Sequence, residues 1–133
     1  MSEAAWIKLG YNVGLDRMTR LVKIQEYDDK PMCYEELRAI LYTHIQTLCG
    51  SGKYKRMSRS YSPCFDQLAF TGLVYSTCGH GKTSKHMQYT CEKFLIKILK
   101  HANRIAKTRD KKHPIVSVRD INTAHNMFRE ENF

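Results

Sequence analysis

Three groups of residues have types that chemistry could use, and each lacks the spacing that the chemistry needs. Gly79-His80-Gly81-Lys82-Thr83 is similar to the end of a phosphate-binding loop. The full form, G-x-x-x-x-G-K-[ST], cradles a phosphate in backbone N–H groups after a strand; here its first glycine is missing and no strand precedes. Cys78 and His80, with Cys91 or His86 nearby, are donor types for zinc, but no C-x-x-C or H-x-x-x-H pair supplies four ligands. Five cysteines and six histidines permit a nucleophile–base pair in principle. No spacing favours one, and His44, His101 and His125 read as surface or core residues on helices. The expectation is a protein with no catalytic residue, no metal and no cofactor.

Phosphate contact is the chemistry that the remaining pattern supports. The formal charge is +9, and it is unevenly placed: residues 1–50 hold six Lys and Arg against seven Asp and Glu, residues 51–133 sixteen against six. Such an asymmetry points to a polyanion, with nucleic acid ahead of an anionic membrane or an acidic protein. Lys53, Lys55, Arg56 and Arg59 stand interleaved with Tyr54, Tyr61 and serines, a composition suited to the phosphate backbone or to nuclear import. The 133 residues, 42% hydrophobic, can build one small core. Met1-Ser2-Glu3 has no basic start and no apolar run approaches about 18 residues, so neither a secretory signal nor a spanning segment is expected. Five cysteines without close pairing then read as small buried hydrophobes, not as disulfides.

These residues must be positioned by helices. Residues 83–108 predict one long amphipathic helix capped by Thr83 or Ser84, with an apolar stripe of Met87, Cys91, Phe94, Leu95, Ile98, Leu99, Ala102, Ile105 and Ala106. Its other face carries Lys93, Lys97, Lys100, Arg104 and Lys107, with Glu92 against them. A stripe of about 37 Å is hard to cover with short flanking segments, so a second chain is expected to cover part of it. Before it, short helices are expected around Ala4–Leu9 and Leu15–Ile24, a third from Tyr34, and a fourth from Cys64 to Ser76 with Phe65, Leu68, Ala69 and Leu73 inward. After it come a charged loop closed by Pro114, an extended Ile115-Val116, and a last helix to about Phe128, opened by the Ser117–Asp120 capping box, with Val118, Ile121, Ala124 or His125, and Phe128 inward. The expected organisation is a helical extension over 1–50, a basic linker over 51–62, the main domain over 63–128 and a short end over 129–133.

The short–long–short helix layout of residues 63–128, with its local sequence, resembles the core histones. Gly81-Lys82-Thr83-Ser84-Lys85-His86-Met87 resembles the Gly-x-Ser-Ser-Lys-x-Met that opens the long helix of the 2B class. Val116-Ser117-Val118-Arg119-Asp120-Ile121-Asn122-Thr123-Ala124 is similar to that class's Ile-Thr-Ser-Arg-Glu-Ile-Gln-Thr-Ala, and the run from Lys53 to Ser62 to its basic segment and Ser-Tyr-Ser. Gln88-Tyr89-Thr90-Cys91-Glu92-Lys93-Phe94-Leu95 looks closer to class 3. The chain departs from the family in lacking its long C-terminal helix and in replacing the lysine-rich tail by residues 1–50. Histones encoded by some large DNA viruses are similarly divergent.

The resemblance implies an all-α histone fold that pairs with a 2A-like histone through the stripe, and through it with other core histones, in the nucleus or in a virion. It implies double-stranded DNA held without a base code at Lys53, Lys55, Arg56, Arg59, Lys82, Thr83, Ser84, Lys85, Lys111, Lys112 and His113. Where the family has a minor-groove arginine paired with an acid seven residues on, this chain has His113 and Asp120, so a His113–Asp120 pair is expected, or a contact taken over by Lys112. The alternatives are a histone-fold subunit of a transcription assembly and a viral structural protein that condenses nucleic acid without this fold.

Overall fold

The long helix forms where the three- and four-residue periodicity requires it. In the computed structural model it is α4, Lys85–Arg109, preceded by α1 (Glu3–Val22), α2 (Tyr34–Ser51) and α3 (Gln67–Cys78) and followed by α5 (Val118–Phe128). The structure describes residues 3–24, 34–51, 61–79 and 85–129, with side chains from residue 11 onward and not those of 50 and 51. Among the described residues the chain is all-α, and no helix is long and apolar enough to cross a membrane.

The first correction concerns the N-terminal region, where one continuous α1 replaces two short helices. Gly14 does not break it, because the packing needs a glycine there: a Cβ would lie 2.1 Å from Cδ1 of the Phe65 ring. The helix stops in a Schellman turn. Lys23 takes a left-handed φ of 57°, its N–H donates to Arg20 O (3.1 Å), and the N–H of Ile24 donates to Thr19 O (3.0 Å). The hydroxyl of Tyr34, at the start of α2, donates to the carboxylate of Asp16 on α1.

The second correction concerns what covers α4. Helices α1, α2 and α5 all pack against it, and α3 packs on α1 and α2. Met87, Cys91, Phe94, Leu95, Ile98, Leu99 and Ala102 are buried in one apolar cluster with Leu15 and Met18 of α1 and Leu37, Leu41, Ile45 and Leu48 of α2, and Ile105 packs against it half-buried. The residues expected to meet a second chain are thus the core of this one. Sequence periodicity showed which way the stripe faces; it did not show that residues 1–50 carry a matching set of large aliphatics. Burying the four α2 side chains is worth on the order of 10 kcal/mol in transfer terms. The N-terminal helices therefore share the core of the main domain.

At α3 the boundary shifts. Asp66 is the N-cap, accepting from Ala69 N–H (3.3 Å), so Cys64 and Phe65 lie in the buried turn before the helix. That rotates the inward face to Ala69, Phe70, Leu73 and Val74 and leaves Leu68, expected inward, 66% exposed. The helix ends at Gly79, whose φ of 77° places it in the left-handed region and whose N–H donates to Tyr75 O (2.8 Å). A bond between Cys49 and Cys78 joins the ends of α2 and α3, against the expectation of unpaired cysteines. Cys64 and Cys91 are buried and unbonded.

The capping box at α5 forms as expected. Asp120 N–H donates to Ser117 Oγ (3.3 Å) and Ser117 N–H to Asp120 Oδ2 (2.9 Å); Ile121 and Ala124 turn inward as expected, whereas Val118, expected inward, is exposed in the first turn.

Candidate nucleic-acid interface

With its apolar side enclosed, α4 presents one edge to solvent. Lys85, Lys93, Lys100, Arg104 and Lys107 are exposed and Lys97 is half-buried. At 100° per residue these six lie within one third of the helix circumference, and from Lys85 to Lys107 they extend about 33 Å. Two of them rest on aromatic rings. The Lys97 ammonium lies 4.4 Å from the Phe128 ring centroid and that of Lys93 5.6 Å from Tyr89, which limits the freedom each loses on meeting a ligand.

Glu92 does not neutralise this edge. Its side chain is fully buried at the border between the basic edge and the apolar stripe, accepting from Cys64 N–H (2.5 Å) and from Gln88 Nε2 (2.9 Å), which also donates to Phe65 O (2.9 Å). Between Lys85 and Arg109 the sequence holds no other carboxylate. The edge is therefore uniformly cationic.

The edge continues into the loop after α4. Asp110 Oδ1 accepts the N–H groups of Lys112 and His113 (both 3.1 Å), which hold its carboxyl below the usual range and fold the loop back on itself. Lys111, Lys112 and His113 are exposed there, and an open groove of about 530 Å³ lies between Lys107, Thr108, Lys111 and Pro114.

The Asp120 carboxylate, expected opposite His113, is paired with Arg109. Arg109, in the last turn of α4, takes that place: its Nη1 donates to Asp120 Oδ1 (2.6 Å) and its Nη2 to Ile115 O (2.9 Å). Burial pushes the Asp120 carboxyl up, but Arg109 and the N–H and hydroxyl of Ser117 outweigh it and hold the acid below its ordinary range. Arg109 lies eleven residues before Asp120, a spacing that only the fold of the loop makes short. The residue that locks α4 to α5 is thus one that sequence spacing passed over.

Of the residues expected to touch DNA, Lys85, Lys111, Lys112 and His113 are exposed along this surface. Lys53, Lys55, Arg56, Arg59, Lys82, Thr83 and Ser84 lie outside the described residues, as does the expected cap of α4. The structure adds Lys93, Lys100, Arg104 and Lys107, which the sequence marks as the basic face of the helix without assigning them a contact. Their signal was the helical period, which sets them on one face opposite the apolar stripe.

Among the described residues the two unbonded thiols, Cys64 and Cys91, are buried and poorly suited to nucleophilic chemistry. Burial, then the Glu92 carboxylate, pushes Cys64 up to about 12, and the same two causes raise Cys91. Cys78, a zinc candidate, is bonded to Cys49. No family model, curated protein or solved structure matches this chain.

Proposed function

We propose that this protein packages double-stranded DNA in the manner of a histone, holding the phosphate backbone along the exposed edge of α4 and the loop after it. The observation that carries this is the unbroken row of Lys85, Lys93, Lys97, Lys100, Arg104 and Lys107 on one edge, continued by Lys111 and Lys112. Lysine and arginine ammonium and guanidinium groups at this density displace condensed counterions from a duplex, and displaced ions supply the affinity. Side chains that reach phosphates carry no base code, so binding is tolerant of sequence. The outcome is charge neutralisation and bending, with no bond made or broken.

The test is fluorescence anisotropy with two short duplexes of unrelated sequence across a salt series. Equal affinities with a steep fall in salt are expected, about 0.9 in the log–log slope for each phosphate contact. Changing Lys93, Lys100, Arg104 and Lys107 together to Glu should weaken binding by about a hundredfold or more. A variant that binds as well as the parent would contradict the proposal.

The helices α3, α4 and α5, of 12, 25 and 11 residues, keep a second reading in view, in which the chain forms a histone handshake with a 2A-like partner. That pairing needs α1 and α2 to give up the stripe that they cover. Mixing the chain with a 2A-type histone and measuring the mass in solution separates the two: a one-to-one complex supports pairing, two independent species support packaging by the closed single chain.

A further inference from the structure

Helix α1, the turn before α3 and the start of α4 meet around a half-enclosed pocket of about 350 Å³, at the small end of the range in which proteins hold small molecules. Long-range bonds build it. Arg17 Nη1 on α1 donates to Cys64 O (3.0 Å), across 47 residues of chain, and Gln88 Nε2 on α4 donates to Phe65 O and to Glu92 (both 2.9 Å). The turn is tied on both sides, and the ties fix what the pocket offers. A guanidinium has five N–H donors and the bond to Cys64 uses one; Lys85 lines the same pocket with an ammonium. Gln88 is 5% exposed with both Nε2 protons engaged, so its Oε1 acceptor is what it has left for a ligand. Asp66 keeps one carboxylate oxygen beyond the one that accepts Ala69 N–H. Tyr61 and Pro63 supply an apolar wall, and the Tyr61 ring is held edge-on to Tyr89, with centroids 4.6 Å apart.

Two cations against one carboxylate favour an anion. Two acceptor oxygens beside them call for a ligand that also donates N–H or O–H, which a phosphodiester lacks. The apolar wall calls for a flat, weakly hydrated body, which a phosphate ion lacks. A nucleoside phosphate has all three. We propose that this pocket binds a nucleoside 5′-phosphate, with the phosphate on Arg17 and Lys85, the base against Tyr61 and Pro63, and base or sugar donors on Gln88 Oε1 and Asp66. The ligand is a free nucleotide or the phosphorylated end of a nucleic-acid strand, because a pocket of this size admits a chain end and no continuous duplex. The site goes beyond the packaging reading, with which it shares Lys85 alone.

The experiment titrates the full chain calorimetrically with deoxyadenosine 5′-monophosphate, and separately with deoxyadenosine and with inorganic phosphate. A second arm compares, by anisotropy, one short single strand carrying a 5′-phosphate with the same strand carrying a 5′-hydroxyl. The nucleotide should bind about tenfold more tightly than either of its parts. Arg17→Ala and Lys85→Ala should each weaken it about tenfold, as the loss of a charge-assisted hydrogen bond does. Arg119→Ala, which removes an exposed cation of α5 outside the pocket, should leave it unchanged. Should Arg17→Ala misfold by circular dichroism, Lys85→Ala, at an exposed position, still decides. Tighter binding of the 5′-phosphorylated strand, lost in Lys85→Ala, supports the proposal and identifies a strand end; nucleotide binding without that preference supports it and identifies the free nucleotide. Inorganic phosphate bound as tightly as the nucleotide overturns the proposal, as does binding or strand preference that survives both substitutions. A chain that neither binds the nucleotide nor prefers the phosphorylated strand overturns it too. The duplex proposal is judged on internal phosphates and stands or falls separately.

Discussion

The two sides of α4 belong to one helix and meet opposite fates. Its apolar side is enclosed by α1, α2 and α5, while its basic side stays largely open, with only Lys97 half-buried against Phe128 of α5. Both sides were equally periodic in the sequence. The difference teaches that periodicity assigns direction, whereas cover depends on whether another segment offers a complementary surface. Apolar side chains gain by being covered by any matching stripe, and α2 supplies one. Clustered cations gain nothing from an apolar neighbour and stay in water until an anion arrives.

Truncating the enclosed side should have the largest effect. Leu95→Ala, on α4, and Leu41→Ala, on α2, should each cost about 2–5 kcal/mol in denaturant unfolding of the lone chain, because both empty a fully buried site in the same cluster. A negligible effect of Leu41→Ala would mean that α2 does not cover the stripe. Gly14→Ala probes the same cover from α1. Its methyl would meet the Phe65 ring, so a loss of about 1–3 kcal/mol is expected by thermal melting.

Asp120→Ala removes the capping box and the partner of Arg109 and should cost about 1–2 kcal/mol. Its complement is pH. Asp110 and Asp120 are held low in the folded chain, so their contribution is present above the ordinary carboxylate range and is lost as pH falls through and below it. His125 is held low by burial and then by Arg129, so it stays neutral when folded. Its protonation in the unfolded chain removes stability as pH falls below the usual histidine range. Urea midpoints between pH 8 and pH 3 should therefore fall in two steps, first small, then larger.

The smallest effects belong to the open side and to the helix end. The Lys93, Lys100, Arg104 and Lys107 charge reversals should change stability by no more than about 0.5 kcal/mol each, in contrast to their effect on DNA. Lys23→Gly should be stabilising by about 0.5–1 kcal/mol, since glycine takes its left-handed φ without a Cβ penalty. A loss at either position would show a contact that the described surface does not contain.

Much of this was legible in the sequence, for local reasons. The α4 stripe, the Ser117–Asp120 box and the α2 stripe are each written within a few turns of chain, where helical geometry fixes who faces whom. The failures are long-range. Gly14 carries no signal in its own segment, and its role shows only when Phe65 is brought against it. Arg109 reads as one more surface cation until the loop returns Asp120 to it. Cys49 and Cys78 are 29 residues apart in sequence, and only the packing of α2 on α3 brings them together. Glu92 was counted against the basic face, and it is buried instead because Cys64 N–H and Gln88 Nε2, the first brought there from 28 residues away, donate to its carboxylate.

The most direct test of the enclosed stripe is the solution mass of the lone, full-length chain by light scattering on a sizing column, followed by its thermal melt. A species near 15.6 kDa that melts in one cooperative step is expected, because the chain covers its own α4. Aggregation of the lone chain, cured by adding a 2A-type histone, would show that a second protein is needed to cover the stripe, and would contradict the account.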